Sequence, residues 1–168
     1  MQLSKRLQTV AHLVHSGGVV ADIGCDHGFT IIYLVMNQLA SAGIAMDVAD
    51  GPLMRAKELV LSPQSEIYKV RHALHDLGFV IAQEEMVFDQ GKYYTIIRCE
   101  RGSEHYFTEE EYIYGGYLMR TRHPVFLEYM QKELARVQHV LEAMPDTQPA
   151  KRQILREQQT ISDILNPR

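Results

Sequence analysis

One ten-residue stretch, VVADIGCDHG at residues 19–28, constrains the fold of this chain more than any other feature. A short apolar run ends in an acidic residue and then turns through two glycines four positions apart. Residues 29–39 follow with apolar side chains all round, a pattern typical of a helix buried against a sheet. A strand, a glycine-containing turn and a helix form the first unit of a nucleotide-binding α/β fold.

A second apolar run, at residues 43–48, predicts the next strand and carries Asp47 near its end. An acid at that position can hydrogen-bond the two ribose hydroxyls of an adenosine. The turn and Asp47 together indicate a cofactor that contains adenosine.

The charges in the turn favour S-adenosylmethionine over a dinucleotide. A dinucleotide site uses G-x-G-x-x-G, whose backbone N–H groups hold a pyrophosphate. Here Asp26 lies in the middle of the loop and would repel a pyrophosphate, whereas Asp22 suits a cationic ligand. The alternative is an ordinary strand–helix turn in which Gly24 and Gly28 serve backbone geometry alone.

Length and composition bound the class of protein. With 168 residues, 46% of them hydrophobic, the chain predicts one globular domain with a modest extension. No apolar run reaches membrane-spanning length and no leader pattern is seen, so we expect a cytoplasmic protein without a membrane partner. Cys25 and Cys99 form no CxxC, and the eight histidines show no ligand spacing. We therefore expect neither a disulfide nor a metal.

Charge is spread unevenly along the chain, whose net value is −4. Residues 1–57 are neutral, residues 58–116 carry −6 and residues 117–168 carry +2, as counted from the sequence. An RNA ligand would prefer the first and last regions, because phosphate contacts need Lys and Arg. A solvated helical face would give the same composition.

Capping residues, periodicity and turn signals predict the remaining elements. We expect a helix at 5–14, capped by Ser4, and a second helix at 63–77, capped by Ser62 and closed by Gly78. A β-hairpin is predicted to join strands at 79–88 and 93–99 through a turn that contains Gly91. Residues 109–119 predict a loop or short helix. Helices at 124–143 and 150–165 are expected to pair as an antiparallel hairpin.

Seven segments carry a resemblance to a known family. They are Leu3–Ala11 (LSKRLQTVA), Ala21–His27 (ADIGCDH), Asp50–Pro52 (DGP), Leu59–Gln64 (LVLSPQ), Gly91–Tyr94 (GKYY), Tyr114–Leu118 (YGGYL) and Pro124–Leu127 (PVFL). With them the chain resembles the bacterial tRNA (adenine-N1)-methyltransferases that modify an adenine in the D-arm of tRNA. The resemblance implies a Rossmann-like methyltransferase domain at 1–116, a C-terminal helical hairpin at 117–168, S-adenosylmethionine as cofactor, tRNA as partner and no metal.

Roles for individual residues follow from the resemblance and from their chemistry. We expect Asp26 to stabilise the positive charge that methylation places on adenine, unless it is only a helix N-terminal residue favoured by the dipole. The expected cofactor-binding residues are Asp22, Gly24, Cys25, His27, Gly28 and Asp47. The expected RNA-binding residues are Lys5, Arg6, Arg120, Arg122, Lys132 and Arg136. Plain surface charge is the alternative for these six, and packing for His27.

The chain departs from the family between Lys57 and Glu58, where the family carries several tens of further residues. That segment holds its third and fourth strands and a glycine-rich motif that lines the methyl-transfer pocket. Glu58–Leu61 then either forms a strand beside the first strand or, as we favour, extends the preceding helix. We expect weak or absent turnover, and alternative functions are a non-catalytic S-adenosylmethionine- or tRNA-binding relative and a helical interaction module.

Overall fold

A computed structural model describes residues 4–17, 19–23, 29–40, 42–46 and 58–167. Its elements, with a π-helical turn at Glu111–Gly115, are α1 (Lys5–Leu13), β1 (Val19–Ile23), α2 (Phe29–Met36), β2 (Ala42–Met46), β3 (Glu58–Leu61), α3 (Ile67–Asp76), β4 (Phe79–Asp89), β5 (Lys92–Arg101), α4 (Gly116–Thr121), α5 (Pro124–Ala143) and α6 (Lys151–Leu165). No helix in these ranges is both long and apolar enough to cross a bilayer.

The first unit is the predicted strand–helix–strand. β1 and β2 pair in parallel, with Val19 opposite Ala42 and Ile23 opposite Met46, and α2 connects them. The Ser4 hydroxyl caps α1 by accepting the N–H of Leu7 at 3.4 Å, as predicted. α2 ends at Met36 rather than at residue 39.

The second sheet is antiparallel, with the order β3-β5-β4. β4 and β5 form the predicted hairpin, and Gln90 and Gly91 connect them with φ values of 48° and 82°. Two central residues with positive φ match the right-handed twist of the strands, which explains the glycine at this position.

The prediction of a helix through residues 58–61 is wrong. Glu58–Leu61 is strand β3, which pairs antiparallel with β5 from Glu100 to Ile97. Leu59 and Leu61 alternate along the strand and pack against the buried core of this sheet, so pairing and burial outweigh local helix propensity. Among the described strands β3 pairs with β5 alone and β1 with β2 alone, so β3 does not lie beside β1.

The start of α3 also differs from the prediction. The helix begins at Ile67, four residues later than expected, after Glu66 in the left-handed conformation with φ 48°. The Gln64 side chain donates to the Ser62 carbonyl at 2.7 Å, in a turn between β3 and the helix. Because Leu61 ends a strand, the chain needs these residues to reverse before a helix can start.

The two C-terminal helices form the predicted antiparallel hairpin. Arg136 of α5 contacts Glu157 of α6 at 3.2 Å, and Lys151 Nζ donates to the Met144 carbonyl at 3.0 Å near the connection. Their shared core also includes Met86 of β4, so the helical hairpin packs on the second sheet. The buried residues of this core are Met86, Leu118, Phe126, Met130, Val137 and Ile161.

Candidate functional site

The carboxyl ends of β1 and β2 lie side by side. Because Ile23 pairs with Met46 in a parallel register, both strands stop at the same edge of the sheet. Ligands of open α/β sheets bind outside this edge. Gly24 and Asp47 are the next residues along the chain after these two strand ends.

The residues predicted to bind the cofactor and carry catalysis are placed only in part. Asp22 is the fourth residue of β1, but its side chain lies outside what the structure describes. The remaining predicted residues fall outside the described ranges: Gly24, Cys25, Asp26, His27, Gly28 and Asp47. Their roles stay predictions.

Arg6, one of the two predicted RNA-binding residues of α1, lies against the β4–β5 hairpin. The backbone N–H of Arg6 donates to Asp89 Oδ2 at 3.2 Å, and the Arg6 guanidinium lies 5.1 Å from the centroid of the Tyr94 ring. Lys5 is exposed. Arg6 therefore lies next to the end of the hairpin, and the exposed Lys5 precedes it at the start of α1.

The four predicted RNA-binding residues after position 116 each contact groups of the protein itself. Arg120 lies 3.6 Å from Glu111, and the Arg122 guanidinium donates to two carbonyls at the end of α6. Lys132 pairs with Glu128 at 2.9 Å, and Arg136 pairs with Glu133 at 2.8 Å. A phosphate that contacts them must compete with these partners.

Arg120 and Arg122 also line a cavity of about 560 Å³. Two carboxylates share its wall, so the cavity is not uniformly basic. Its lining residues are Thr108, Glu110, Met119, Arg120, Arg122, Thr160, Asp163, Ile164 and Pro167.

A buried ion pair was missed in the sequence. Arg71 of α3 donates from Nε to Glu84 of β4 at 2.8 Å, and the two side chains are 2% and 0% exposed. Arg71 Nη1 also donates to the carbonyls of Tyr112 and Ile113 at 2.7 and 3.1 Å. Burial raises the pKa of the Glu84 carboxyl, and the adjacent Arg71 opposes that effect. The pair joins α3, β4 and the π-helical turn, which indicates a structural role.

A buried histidine lies beside this ion pair. His75 Nδ1 is 3.0 Å from the Tyr112 hydroxyl, which also accepts the backbone N–H of Tyr106 at 3.2 Å. Burial lowers the pKa of His75, while the nearby Glu104 raises it to a lesser extent. His75 is therefore favoured as the neutral imidazole in the folded protein.

This environment predicts a pH-dependent stability. The pKa of His75 is lower in the folded than in the unfolded chain, so below about pH 6.5 the unfolded chain binds a proton at this residue more readily. The free energy of unfolding therefore falls as the pH decreases from about 6.5 toward the folded pKa. We expect His75→Gln to reduce the loss of unfolding free energy between pH 7.5 and 5.5, as measured by urea denaturation at each pH. His139→Gln removes an exposed histidine as the control. An unchanged pH dependence in His75→Gln would contradict this assignment.

One group among the described residues has the spacing of metal ligands. The ligand atoms of His15, Glu58 and Glu100 lie within 4.8 Å of one another, and the two glutamates are opposite each other on β3 and β5. His15 Nδ1 lies 2.6 Å from Glu58 Oε2 and Arg98 pairs with Glu100, so each carboxylate already has a partner within the protein. These contacts account for the proximity of Glu58 and Glu100, two like charges that would repel each other if neither had a partner.

The second cysteine is not a candidate nucleophile. Cys99 is fully buried in β5, and burial raises the pKa of its thiol to about 12. A reactive cysteine needs a thiolate in an electropositive, partly exposed environment.

Comparison with known proteins first defines the class. The fold is that of solved Rossmann-like methyltransferases, and residues 3–60 match the profile of a methyltransferase domain. The described β1–α2–β2 unit lies within that match. The chain belongs to the tRNA (adenine(22)-N(1))-methyltransferase family, whose profile matches residues 53–165. This confirms the resemblance and the predicted fold class.

A curated relative is described by the same family name. A tRNA (adenine(22)-N(1))-methyltransferase of Bacillus subtilis is 50% identical over 60 residues, which are 36% of this chain and 25% of that protein. The match therefore spans about a quarter of the curated relative's length.

Solved structures show the same fold at low identity. Streptococcus pneumoniae Sp1610 superposes with a TM-score of 0.88 at 23% identity, covering 98% of this chain and 100% of the other. The same protein in complex with S-adenosyl-L-methionine gives a TM-score of 0.84 at 21% identity, with 98% and 100% covered. Bacillus subtilis TrmK, a tRNA m1A22 methyltransferase, gives a TM-score of 0.77 at 22% identity, with 98% and 99% covered.

Proposed function

We propose that this chain binds S-adenosylmethionine and transfers its methyl group to N1 of an adenine in tRNA. Membership of the tRNA (adenine(22)-N(1))-methyltransferase family carries the proposal. The parallel β1–β2 pair, whose carboxyl ends lie together, supports a cofactor site at that edge of the sheet. A Streptococcus pneumoniae protein of the same fold has been solved with S-adenosyl-L-methionine.

The reaction places its main demand on positioning. The bound cofactor supplies an electrophilic methyl group on a sulfonium, and the N1 lone pair must meet it in line at about 3 Å. The carbon–sulfur bond breaks as the carbon–nitrogen bond forms, so the adenine becomes cationic and the thioether S-adenosylhomocysteine leaves. We assign Asp26 to stabilise the positive charge that develops on the adenine.

The cofactor contacts are assigned by their places along the chain. Asp47, at the end of the second strand, would accept hydrogen bonds from the ribose hydroxyls. The turn between β1 and α2 would hold the methionine part of the cofactor. The residues proposed there are Asp22, Gly24, Cys25, His27 and Gly28.

For tRNA we propose contacts from both ends of the chain, which would act in the cytoplasm. Lys5 and Arg6 contact phosphates directly, since neither side chain pairs with a carboxylate within the described ranges. The other four cations exchange a protein partner for a phosphate: Arg120, Arg122, Lys132 and Arg136. In this arrangement residues 1–116 bind the cofactor and residues 117–168 extend the RNA contact.

A second candidate is a relative that binds S-adenosylmethionine or tRNA without turnover. The chain passes from Lys57 directly to Glu58, where the resemblance implies that the family carries its third and fourth strands and the glycine-rich pocket motif. This departure favours the second candidate. Without that motif the adenine is less well positioned, and a misplacement of about 1 Å costs on the order of a hundredfold in rate.

A methyl-transfer assay distinguishes the two candidates. Unmodified tRNA is incubated with radiolabelled S-adenosylmethionine and either this chain or the Bacillus subtilis relative. We expect labelling at N1 of adenine at a rate about a hundredfold below that of the relative, and its loss in Asp26→Ala. tRNA with guanosine at the target position is the control. No labelling in the presence of cofactor binding would favour the second candidate, and equal rates would contradict the role given to the missing segment.

A further inference from the structure

The GKYY motif at residues 91–94 has a structural role that the proposed cofactor site does not use. Gly91 lies in the turn of the β4–β5 hairpin. Lys92 is the first residue of β5 and lies opposite Asp89 in the strand register. Successive side chains of a strand alternate between its faces, so Lys92 and Tyr94 share one face. The motif thus places a cation and an aromatic ring together at the end of the hairpin.

The N-terminus of α1 packs on the same face. Arg6 donates its backbone N–H to Asp89 Oδ2 at 3.2 Å and holds its guanidinium 5.1 Å from the centroid of Tyr94. The ring face attracts the cation and restricts its orientation. Residues far apart in sequence therefore form one surface, which we call the hairpin-tip surface: Lys5, Arg6, Lys92 and Tyr94.

The charges of this surface distinguish it from the other basic residues. Lys5 and Lys92 are exposed and make no ion pair with any described residue, and the guanidinium of Arg6 lies over a ring instead of a carboxylate. Asp89 is an acid on this face, opposite Lys92 at the end of the hairpin, and it accepts the Arg6 N–H. By contrast, Lys132 and Arg136 on α5 are paired with Glu128 and Glu133. The chain as a whole is acidic at −4, so a surface with excess positive charge is localised rather than general.

We propose that the hairpin-tip surface binds the phosphate backbone of tRNA, an inference that rests on the proposed function. Lys5 and Lys92 can neutralise phosphates without breaking a pair among the described residues. Arg6, whose guanidinium lies over the Tyr94 ring, carries N–H groups in a planar fork that matches two phosphate oxygens. Such contacts position the RNA and carry no sequence information.

The salt dependence of tRNA binding tests this surface. The association constant for tRNA and the full chain is measured by fluorescence anisotropy at salt concentrations between about 50 and 200 mM. For each variant, the logarithm of this constant is plotted against the logarithm of the salt concentration, and the slopes are compared. We expect Lys92→Ala to weaken binding and to reduce the slope by about one, because one phosphate contact is lost. Lys69→Ala is the matched control: it removes the same charge from an exposed lysine that pairs with Glu66 on α3.

A second pair of variants tests the role of the ring. Tyr94→Phe keeps the face that holds Arg6 and should bind like the unmodified chain, whereas Tyr94→Ala should bind more weakly, with folding monitored by circular dichroism. Equal slopes in Lys92→Ala and Lys69→Ala, with tRNA still bound by the unmodified chain, would overturn the surface and leave the proposed function intact. No tRNA binding by the unmodified chain would overturn both.

Discussion

We expect replacement of Arg71 with alanine to lower the free energy of unfolding by about 3–5 kcal/mol, because it leaves the carboxylate of Glu84 buried without its cation. Both side chains are almost fully excluded from solvent, and Arg71 also satisfies the carbonyls of Tyr112 and Ile113. The loss therefore combines an uncompensated charge with unsatisfied backbone acceptors. Equilibrium denaturation in urea measures it directly.

Two further variants separate the buried charge from simple loss of packing. Lys69→Ala breaks an exposed ion pair with Glu66 at the start of α3, and should cost far less than Arg71→Ala. The double variant Arg71→Met/Glu84→Leu removes both charges together and should recover most of the stability lost in Arg71→Ala. A loss in Arg71→Ala no larger than that in Lys69→Ala would contradict the buried pair.

Substituting Gly115 with alanine has the second large effect. Gly115 has φ +98°, and a Cβ there would lie 2.7 Å from Arg71 Nη2 and 2.8 Å from Glu84 Oε2. Those atoms belong to the buried ion pair, whose side chains are 2% and 0% exposed. The substitution therefore adds displacement of the pair to the strain of a positive φ, and we expect a loss above about 3 kcal/mol.

Gly91→Ala isolates the effect of the backbone. Gly91 has φ +82°, but a Cβ there has no atom within 4 Å, so only the strain of about 1 kcal/mol applies. Melting temperatures and urea midpoints of the two variants should differ clearly, with Gly115→Ala the less stable. Equal losses would show that the ion pair can move away from the added methyl group.

Elements governed by local rules could be predicted from the sequence. The hairpin through Gly91 follows from a turn that needs positive φ, and α5 begins at Pro124 and ends at Ala143 as its periodicity indicates. Strand β3 could not be predicted in this way, since its four residues are held by Ile97–Glu100, far along the chain. Nothing local in residues 52–61 distinguishes a strand from the last turns of a helix.

The charged residues also differ in what the sequence could predict: their types and spacing were visible in it, but their contacts with distant residues were not. The sequence identified the cations of the C-terminal region by type and spacing, but it could not show that Arg122 donates to the carbonyls of Ile164 and Leu165. Arg71 and Glu84 are 13 residues apart on different elements, and no local pattern links them. Burial decides which charges serve stability, and burial depends on contacts that are distant in sequence.

The central claim is that this chain retains the cofactor half of the family's site, although the resemblance implies that a family segment is missing between Lys57 and Glu58. Calorimetric titration of the purified chain with S-adenosylmethionine tests it most directly, with Asp47→Ala as the test variant and Asp163→Ala, on α6, as the control. We predict a dissociation constant on the order of micromolar for the unmodified chain and for Asp163→Ala, and no detectable binding for Asp47→Ala. A folded chain that binds no S-adenosylmethionine would contradict the claim.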